Sequence, residues 1–110
     1  MAKFVKGDVV VVPFPFSDLT QAKRRPALVV SALESDDLIL CQITSQFVRD
    51  NYAISLNDED FGTGGLKQPS NVRPNRIFTA DSHIVLYRVG ALKRDKLNEV
   101  VRRMIHIIRD

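Results

Sequence analysis

Short apolar segments separated by polar turns fill most of the chain. Val9 to Phe14 is an almost continuous β-branched run, which predicts a central strand covered on both faces, with Pro13 at its end or at an edge. Other apolar or alternating segments predict further strands at about 26–32, 38–44, 52–56, 75–79 and 84–89. The chain is therefore expected to be mainly β.

Three polar stretches predict connections between these strands. Residues 16–24 have little apolar content and predict a loop of roughly ten residues, which is a candidate to fold over a functional site because long loops in compact domains are often functional. Asn57 to Gln68 is acidic and glycine-rich and predicts a mobile loop. Ser70 to Pro74 is turn-like and leads into the strand at about 75–79.

The pattern changes from period two to a helical period near the end of the chain. From Lys93 onward, apolar residues recur at helical spacing on one face, and charged residues cover the other. Asp95 near the start and Arg109 near the end suit the helix dipole. About six strands followed by one helix predict a small, strongly bent β-barrel with a C-terminal helix.

Length and composition indicate one domain spanning residues 1–110. An apolar content of 45% can form a core, and no run approaches the roughly 18 apolar residues that span a bilayer. The first eight residues lack the apolar core of a signal peptide, and the single cysteine, Cys41, excludes an internal disulfide. We therefore expect a cytoplasmic protein without a membrane segment, in which Cys41 is a small buried apolar residue.

The distribution of charge is more informative than the net charge of +3. Three cationic residues are consecutive at Lys23, Arg24 and Arg25, whereas acidic residues concentrate at 58–60. Basic patches favour the phosphate backbone of nucleic acids. No set of His, Cys and acidic residues has the spacing of metal ligands, so no metal and no cofactor is expected.

Two strand ends define a candidate site. The strands at 26–32 and 38–44 are joined by a short polar segment, Leu33 to Asp37, which predicts an antiparallel hairpin. Such a hairpin brings Arg25 and Thr44 to the same end of the sheet. A guanidinium and a hydroxyl at one edge can bind a phosphate together.

Several motifs, in order and with matching gaps from about residue 5 to 108, resemble the MazF/PemK family of type II toxin–antitoxin toxins. They are Gly7-Asp8-Val9-Val10, Phe14-Pro15-Phe16, Arg25-Pro26-Ala27-Leu28-Val29-Val30-Ser31, Gln42-Ile43-Thr44-Ser45, Gly65-Leu66, Ser70-Asn71-Val72 and Gly90-Ala91-Leu92. The resemblance implies an SH3-like, PemK-type barrel, a homodimer, and metal-independent cleavage of single-stranded RNA such as mRNA. It also implies an antitoxin partner, which we expect to be acidic.

The resemblance also implies roles for individual residues. It places the catalytic arginine on Arg25 and the catalytic threonine on Thr44. The expected RNA-binding residues are Lys23, Arg24, Phe16, Ser45, Gln46, Ser70 and Asn71. Phe16 and Phe47 are candidates to stack on unpaired bases.

Cleavage of RNA can use the substrate's own 2′-hydroxyl as the nucleophile, because it already lies beside the phosphorus. The protein must accept a proton and stabilise charge on the phosphorane. Arg25 is a poor general base because an arginine pKa stays above about 12. His83 is a candidate for the general base.

Two other classes of function are compatible with the same fold. One is a non-enzymatic gyrase poison similar to CcdB, which acts through the C-terminal end of the chain and needs no arginine–threonine pair. The other is an inactive barrel that binds RNA or protein. The presence of Arg25 and Thr44 favours the enzyme over both.

Overall fold

A computed structural model describes residues 3–14 and 23–110, so the predicted loop at 16–24, with Phe16, lies largely outside the described residues. Within them, one seven-stranded antiparallel sheet is followed by a C-terminal helix. The strands are β1 (Asp8–Phe14), β2 (Lys23–Ala32), β3 (Asp37–Thr44), β4 (Ile54–Leu56), β5 (Phe61–Gly64), β6 (Ser70–Asp81) and β7 (Tyr87–Leu92), and the helix is α1 (Arg94–Arg109). Short 3₁₀ turns occupy Asp58–Asp60 and Ser82–Ile84. The predicted mainly β fold with a C-terminal helix is confirmed.

The strand order is β4-β6-β3-β2-β1-β7-β5, which puts β1 in the interior of the sheet as its apolar sequence predicts. Side chains alternate between two hydrophobic clusters on opposite faces. Val9 belongs to the cluster that the helix covers, whereas Val10 and Val12 belong to the cluster on the other face. All three valines are fully buried, so the prediction of a strand covered on both faces is confirmed.

Three strand predictions need correction. The loop predicted at Asn57–Gln68 contains β5, and the strand predicted at 84–89 begins only at Tyr87. The predicted turn Ser70–Pro74 is the first part of the long strand β6. Pro74 is tolerated there because the β3–β6 register shifts beside it, from Cys41↔Ile77 to Ile43↔Val72, and a proline has no N–H to donate to the ladder.

A close backbone approach holds the short strand β5 against β7. Gly64 pairs with Gly90, and Gly64 has a φ of +64°. A Cβ on Gly90 would lie 2.4 Å from the carbonyl oxygen of Thr63, and one on Gly64 would lie 2.0 Å from that of Val89. Glycine is therefore required at both positions.

The helix α1 begins and ends close to the predicted positions and packs on the first cluster through Leu97, Val100 and Met104. Lys96 Nζ donates to the carbonyl oxygen of Ser55 at 3.2 Å, and Arg103 Nη1 donates to that of Tyr52 at 3.0 Å. These bonds align the helix along the edge strand β4. No helix of the described residues is long and apolar enough to cross a membrane.

Candidate active site

The β2–β3 hairpin brings Arg25 and Thr44 together at one end of the sheet. Leu33 N–H donates to the carbonyl oxygen of Asp37 at 3.1 Å across the turn, and further along Ala27 pairs with Gln42. On its other side β2 pairs Arg25 with Val12, and Thr44 lies four residues along β3 from Leu40. Val12 and Leu40 both belong to the second cluster, so the alternation of side chains puts Arg25 and Thr44 on that face of the sheet.

The two residues line one cavity of about 450 Å³. Its walls are the adjoining ends of β2 and β3, the segment 65–70 and the start of β7. Three of the described lining residues are cations, Arg24, Arg25 and Lys67, and none is an aspartate or glutamate. The electrostatic character of the cavity therefore favours an anion.

The hydroxyl of Thr44 is oriented by its own strand end. Thr44 is only 8% exposed, and its Oγ1 accepts a hydrogen bond from Gln46 N–H at 3.1 Å. Because this bond uses a lone pair of the oxygen, the hydroxyl proton remains able to donate to a ligand. Arg25, which lines the same cavity, is half-buried, whereas Lys23 and Arg24 are exposed.

The remaining expected RNA-binding residues surround this strand end. Ser45 and Gln46 are exposed, and Asn71, which pairs with Thr44 across β3 and β6, donates from Nδ2 to the carbonyl oxygen of Gln46 at 3.5 Å. Ser70 lines the cavity but is buried, and its hydroxyl donates to the carbonyl oxygen of Gln68 at 3.1 Å. The Ser70 hydroxyl proton is therefore already engaged in a hydrogen bond within the protein.

His83 lies away from this group. Its Nδ1 is 2.6 Å from Asp81 Oδ1, and Asp81 pairs with Asp37, at the opposite end of β3 from Thr44. At a strand rise of about 3.3 Å per residue, the two ends of β3 are roughly 23 Å apart. His83 is also not among the described residues that line the cavity. The expectation that His83 serves as general base finds no support in the geometry of one protomer.

Two residues to which the sequence patterns gave no role in the site lie in or near it. Lys67 adds a cation to the cavity from the segment 65–70, and the signal for it was its place in a basic cluster with Arg73 and Arg76, directly after Gly65-Leu66. Asp50 follows the strand end that carries Thr44. Its pKa would be raised by burial, but hydrogen bonds from Tyr52 N–H, the Arg73 side chain and Ala53 N–H, together with the Arg73 charge, lower the pKa below its usual value.

Cys41 is fully buried, as predicted, and its thiol donates to the carbonyl oxygen of Arg73 at 2.8 Å. Burial raises the pKa of this thiol to about 12. The hydrogen bond to the Arg73 backbone lowers the pKa, but by less than burial raises it. Among the residues the structure describes, no three His, Cys, Asp or Glu side chains are grouped so that they could hold a metal ion.

Sequence comparison identifies the class of protein. The family of PemK-like, MazF-like toxins of type II toxin–antitoxin systems matches residues 5–108, and the chain therefore belongs to this family. A comparison with curated protein sequences gives no match.

Solved structures agree with this assignment at the level of the fold. MazF from Deinococcus radiodurans is 21% identical with a TM-score of 0.76, and the match covers 100% of both chains. A mycobacterial endoribonuclease solved in complex with its cognate antitoxin is 13% identical with a TM-score of 0.77, covering 96% of this chain and 95% of that one. The Mycobacterium tuberculosis toxin MazF-mt6 is 16% identical with a TM-score of 0.70, covering 93% and 96%.

Proposed function

We propose that the protein is an endoribonuclease toxin that cleaves single-stranded RNA without a metal ion. The observation that carries this proposal is the cavity at the ends of β2 and β3, where Arg25 and Thr44 meet and whose described charged lining is entirely cationic. The family of the chain and the solved endoribonucleases that share its fold support the same function.

Beyond binding the strand, the protein must stabilise the charge that develops on the scissile phosphate, and two residues can do so. Arg25 can give two parallel hydrogen bonds to the non-bridging oxygens of the scissile phosphate. The Thr44 hydroxyl, oriented by Gln46 N–H, adds a third donor to the same group. These donors stabilise the negative charge that develops when the phosphorus becomes five-coordinate.

The nucleophile in this mechanism is the 2′-hydroxyl of the nucleotide on the 5′ side of the cut. Its oxygen gives up its proton and forms a bond to phosphorus, and the bond from phosphorus to the 5′-oxygen breaks. The products are a 2′,3′-cyclic phosphate and a 5′-hydroxyl, which takes up one proton, so that the proton lost at the 2′-oxygen is balanced by the one gained at the leaving oxygen. The nucleophile is part of the substrate, so the protein supplies orientation and charge rather than a covalent partner.

The exposed cations around the cavity account for binding of the strand. Lys23 and Arg24 extend the positive charge from Arg25 along β2, and Lys67 contributes from the opposite wall. Ser45, Gln46 and Asn71 present polar groups beside Thr44 that can read base edges. Ser70 lines the same cavity. Phe16, which lies outside the described residues, keeps its proposed role as a stacking residue.

We propose further that the protein acts as a homodimer inhibited by an acidic antitoxin. Apolar surface remains on α1, where Ile105 is 44% and Ile108 is 73% exposed, and a second copy would cover such surface. Solved MazE–MazF complexes from Deinococcus radiodurans support an antitoxin partner. Because the cationic cavity accepts RNA, an acidic and partly disordered antitoxin segment would compete for it.

A substrate with one modified nucleotide tests the mechanism. Purified protein is incubated with a long unstructured RNA to find a cut site, and a short RNA containing this site is then made with a single 2′-deoxynucleotide on its 5′ side. We expect the all-ribose RNA to be cut equally well in EDTA and in Mg²⁺, and the deoxy-substituted RNA to resist. Cleavage of both RNAs at the same rate, or activity that EDTA abolishes and Mg²⁺ restores, would refute the mechanism.

A further inference from the structure

The segment that follows Thr44 is fixed at its beginning by two bonds. Gln46 N–H donates to Thr44 Oγ1 at 3.1 Å, and Asn71 Nδ2 reaches the carbonyl oxygen of Gln46 at 3.5 Å. These bonds join the first residues of the segment 45–49 to β3 and to β6. Neither bond involves residues 47–49, so this later part of the segment is held from its other end.

Asp50 fixes that other end. Its Oδ1 accepts from the backbone N–H groups of Tyr52 at 3.0 Å and Ala53 at 3.2 Å. Its Oδ2 accepts from Arg73 Nη2 at 3.1 Å and from Asn75 Nδ2 at 3.5 Å, both of which belong to β6. One carboxylate therefore receives donors from its own turn and from a neighbouring strand.

The ion pair between Asp50 and Arg73 is partly shielded from water, because the two side chains are only 25% and 20% exposed. Arg73 Nε is buried without a hydrogen-bond partner among the described residues. Loss of Asp50 would therefore leave a mostly buried guanidinium without its counter-charge, and the turn would lose the bonds that set its shape.

The residue presented by this fixed segment is Phe47. Phe47 is 86% exposed and lies three positions beyond Thr44 in the sequence. An exposed aromatic ring that follows, a few residues on, a strand end proposed to bind phosphate can stack on an unpaired base, a contact worth about 1–3 kcal/mol per base. Its benefit is greatest when the ring is already held in place, because less conformational entropy is then lost on binding.

We propose that Asp50 is a positioning residue, which holds the segment 45–49 so that Phe47 stacks on a base of the RNA strand next to the bond that is cleaved. This role rests on the proposed endoribonuclease function and adds to it a site of base contact and the residue that organises it. Asp50 itself touches neither the RNA nor the reacting atoms, and acts through Phe47.

A double-mutant cycle tests this role. The variants are Phe47→Ala, Asp50→Ala, the double variant, and Phe47→Trp, which keeps an aromatic ring. Asp36→Ala is the matched charge control, because Asp36 is an exposed aspartate in the turn at the opposite end of β3. Binding is measured by fluorescence anisotropy with the labelled deoxy-substituted RNA, and KM and kcat are measured with the all-ribose RNA.

We expect Phe47→Ala to weaken RNA binding roughly 5- to 150-fold, which corresponds to the energy of one stacked base. Asp50→Ala should weaken binding in the same direction and raise KM more than it lowers kcat. Phe47→Trp and Asp36→Ala should bind within about twofold of the wild type. The double variant should be little weaker than Phe47→Ala alone, because Asp50 has nothing to position once the ring is gone.

Several results would overturn this role. Normal binding by Phe47→Ala would show that no base stacks there, and effects of the two substitutions that multiply would show that Asp50 does not act through Phe47. If Asp50→Ala does not fold, Asp50→Asn replaces it, because an amide oxygen can still accept from Tyr52 and Ala53 but loses the ion pair. If the wild-type protein cuts RNA and these variants behave like it, the roles of Asp50 and Phe47 are refuted but the proposed function is not. If the wild-type protein cuts no RNA, the proposed function is refuted as well.

Discussion

Replacement of Arg25 by alanine separates binding from the chemical step. The substitution removes the only proposed pair of parallel donors to the scissile phosphate, while Arg24 and Lys67 remain in the same cavity. Loss of a single donor to a developing oxyanion costs about 10²–10³ in rate, or about 2.7–4 kcal/mol. We therefore expect kcat to fall at least that far in Arg25→Ala, with a smaller change in KM.

The fold should tolerate this change. Arg25 is half-buried near the start of β2, and the buried part of the strand begins at Ala27. A substitution outside the core usually changes the free energy of unfolding by no more than about 0.5 kcal/mol. For a domain of this size such a change moves Tm by about 2–4 °C. Thermal unfolding of the variant should therefore be close to that of the wild type.

The neighbouring arginine provides a matched control. Arg24 carries the same charge and lines the same cavity, but it is exposed whereas Arg25 is half-buried. Arg24→Ala should raise KM and leave kcat within a few-fold, and Arg25→Lys, which keeps a charge but loses the fork of donors, should lie between wild type and Arg25→Ala. Equal losses of kcat in Arg24→Ala and Arg25→Ala would refute a specific role for Arg25, as would a folded Arg25→Ala variant with full activity.

Three further predictions concern charge, packing and the thiol. If Lys23, Arg24, Arg25 and Lys67 each neutralise a phosphate, a plot of log Kd for uncleavable single-stranded RNA against log salt should have a slope of about 3, reduced by about 0.7 in Arg24→Ala, and a slope near zero would contradict this cationic surface. Gly90→Ala, which would place a Cβ 2.4 Å from the carbonyl oxygen of Thr63, should destabilise the protein by about 1–3 kcal/mol in urea unfolding, whereas an unchanged midpoint would show that β5 does not lie this close to β7. Since burial raises the pKa of Cys41 to about 12, the native thiol should remain protonated and unreactive toward a thiol reagent at pH 8 and react only in denaturant, and rapid labelling of the native protein would refute its burial.

The elements that sequence patterns predicted correctly are those whose stability is local or whose apolar content is continuous. β1 is marked by its β-branched run, and α1 by its apolar face. The β2–β3 hairpin was predictable because a short polar turn joins two apolar segments of matching length. That hairpin was also enough to bring Arg25 and Thr44 to one end of the sheet.

The elements that sequence patterns missed depend on contacts between distant residues. Phe61 is the only apolar residue of β5, and this strand forms because two glycines allow it to approach β7 closely. Asp50 sits in a polar stretch, and nothing nearby in the sequence indicates that Arg73 and Asn75 meet it, because they lie 23 and 25 residues further along the chain. Periodicity likewise could not show that His83 lies at the far end of β3 from Thr44.

The irregularity in β6 explains why its first part was predicted to be a turn, and it also helps to organise the site. Where the β3–β6 register shifts, residues 73–76 have only Gln42 opposite them, so the ladder is locally interrupted. The carbonyl oxygen of Arg73 accepts the Cys41 thiol at this point, and its guanidinium binds Asp50. Interruptions of this kind redirect side chains that regular pairing would hold along the sheet. The same break that makes Ser70 to Pro74 resemble a turn therefore links the core of β3, through Arg73, to the segment that follows Thr44, and a regular strand here would leave that segment without its anchor.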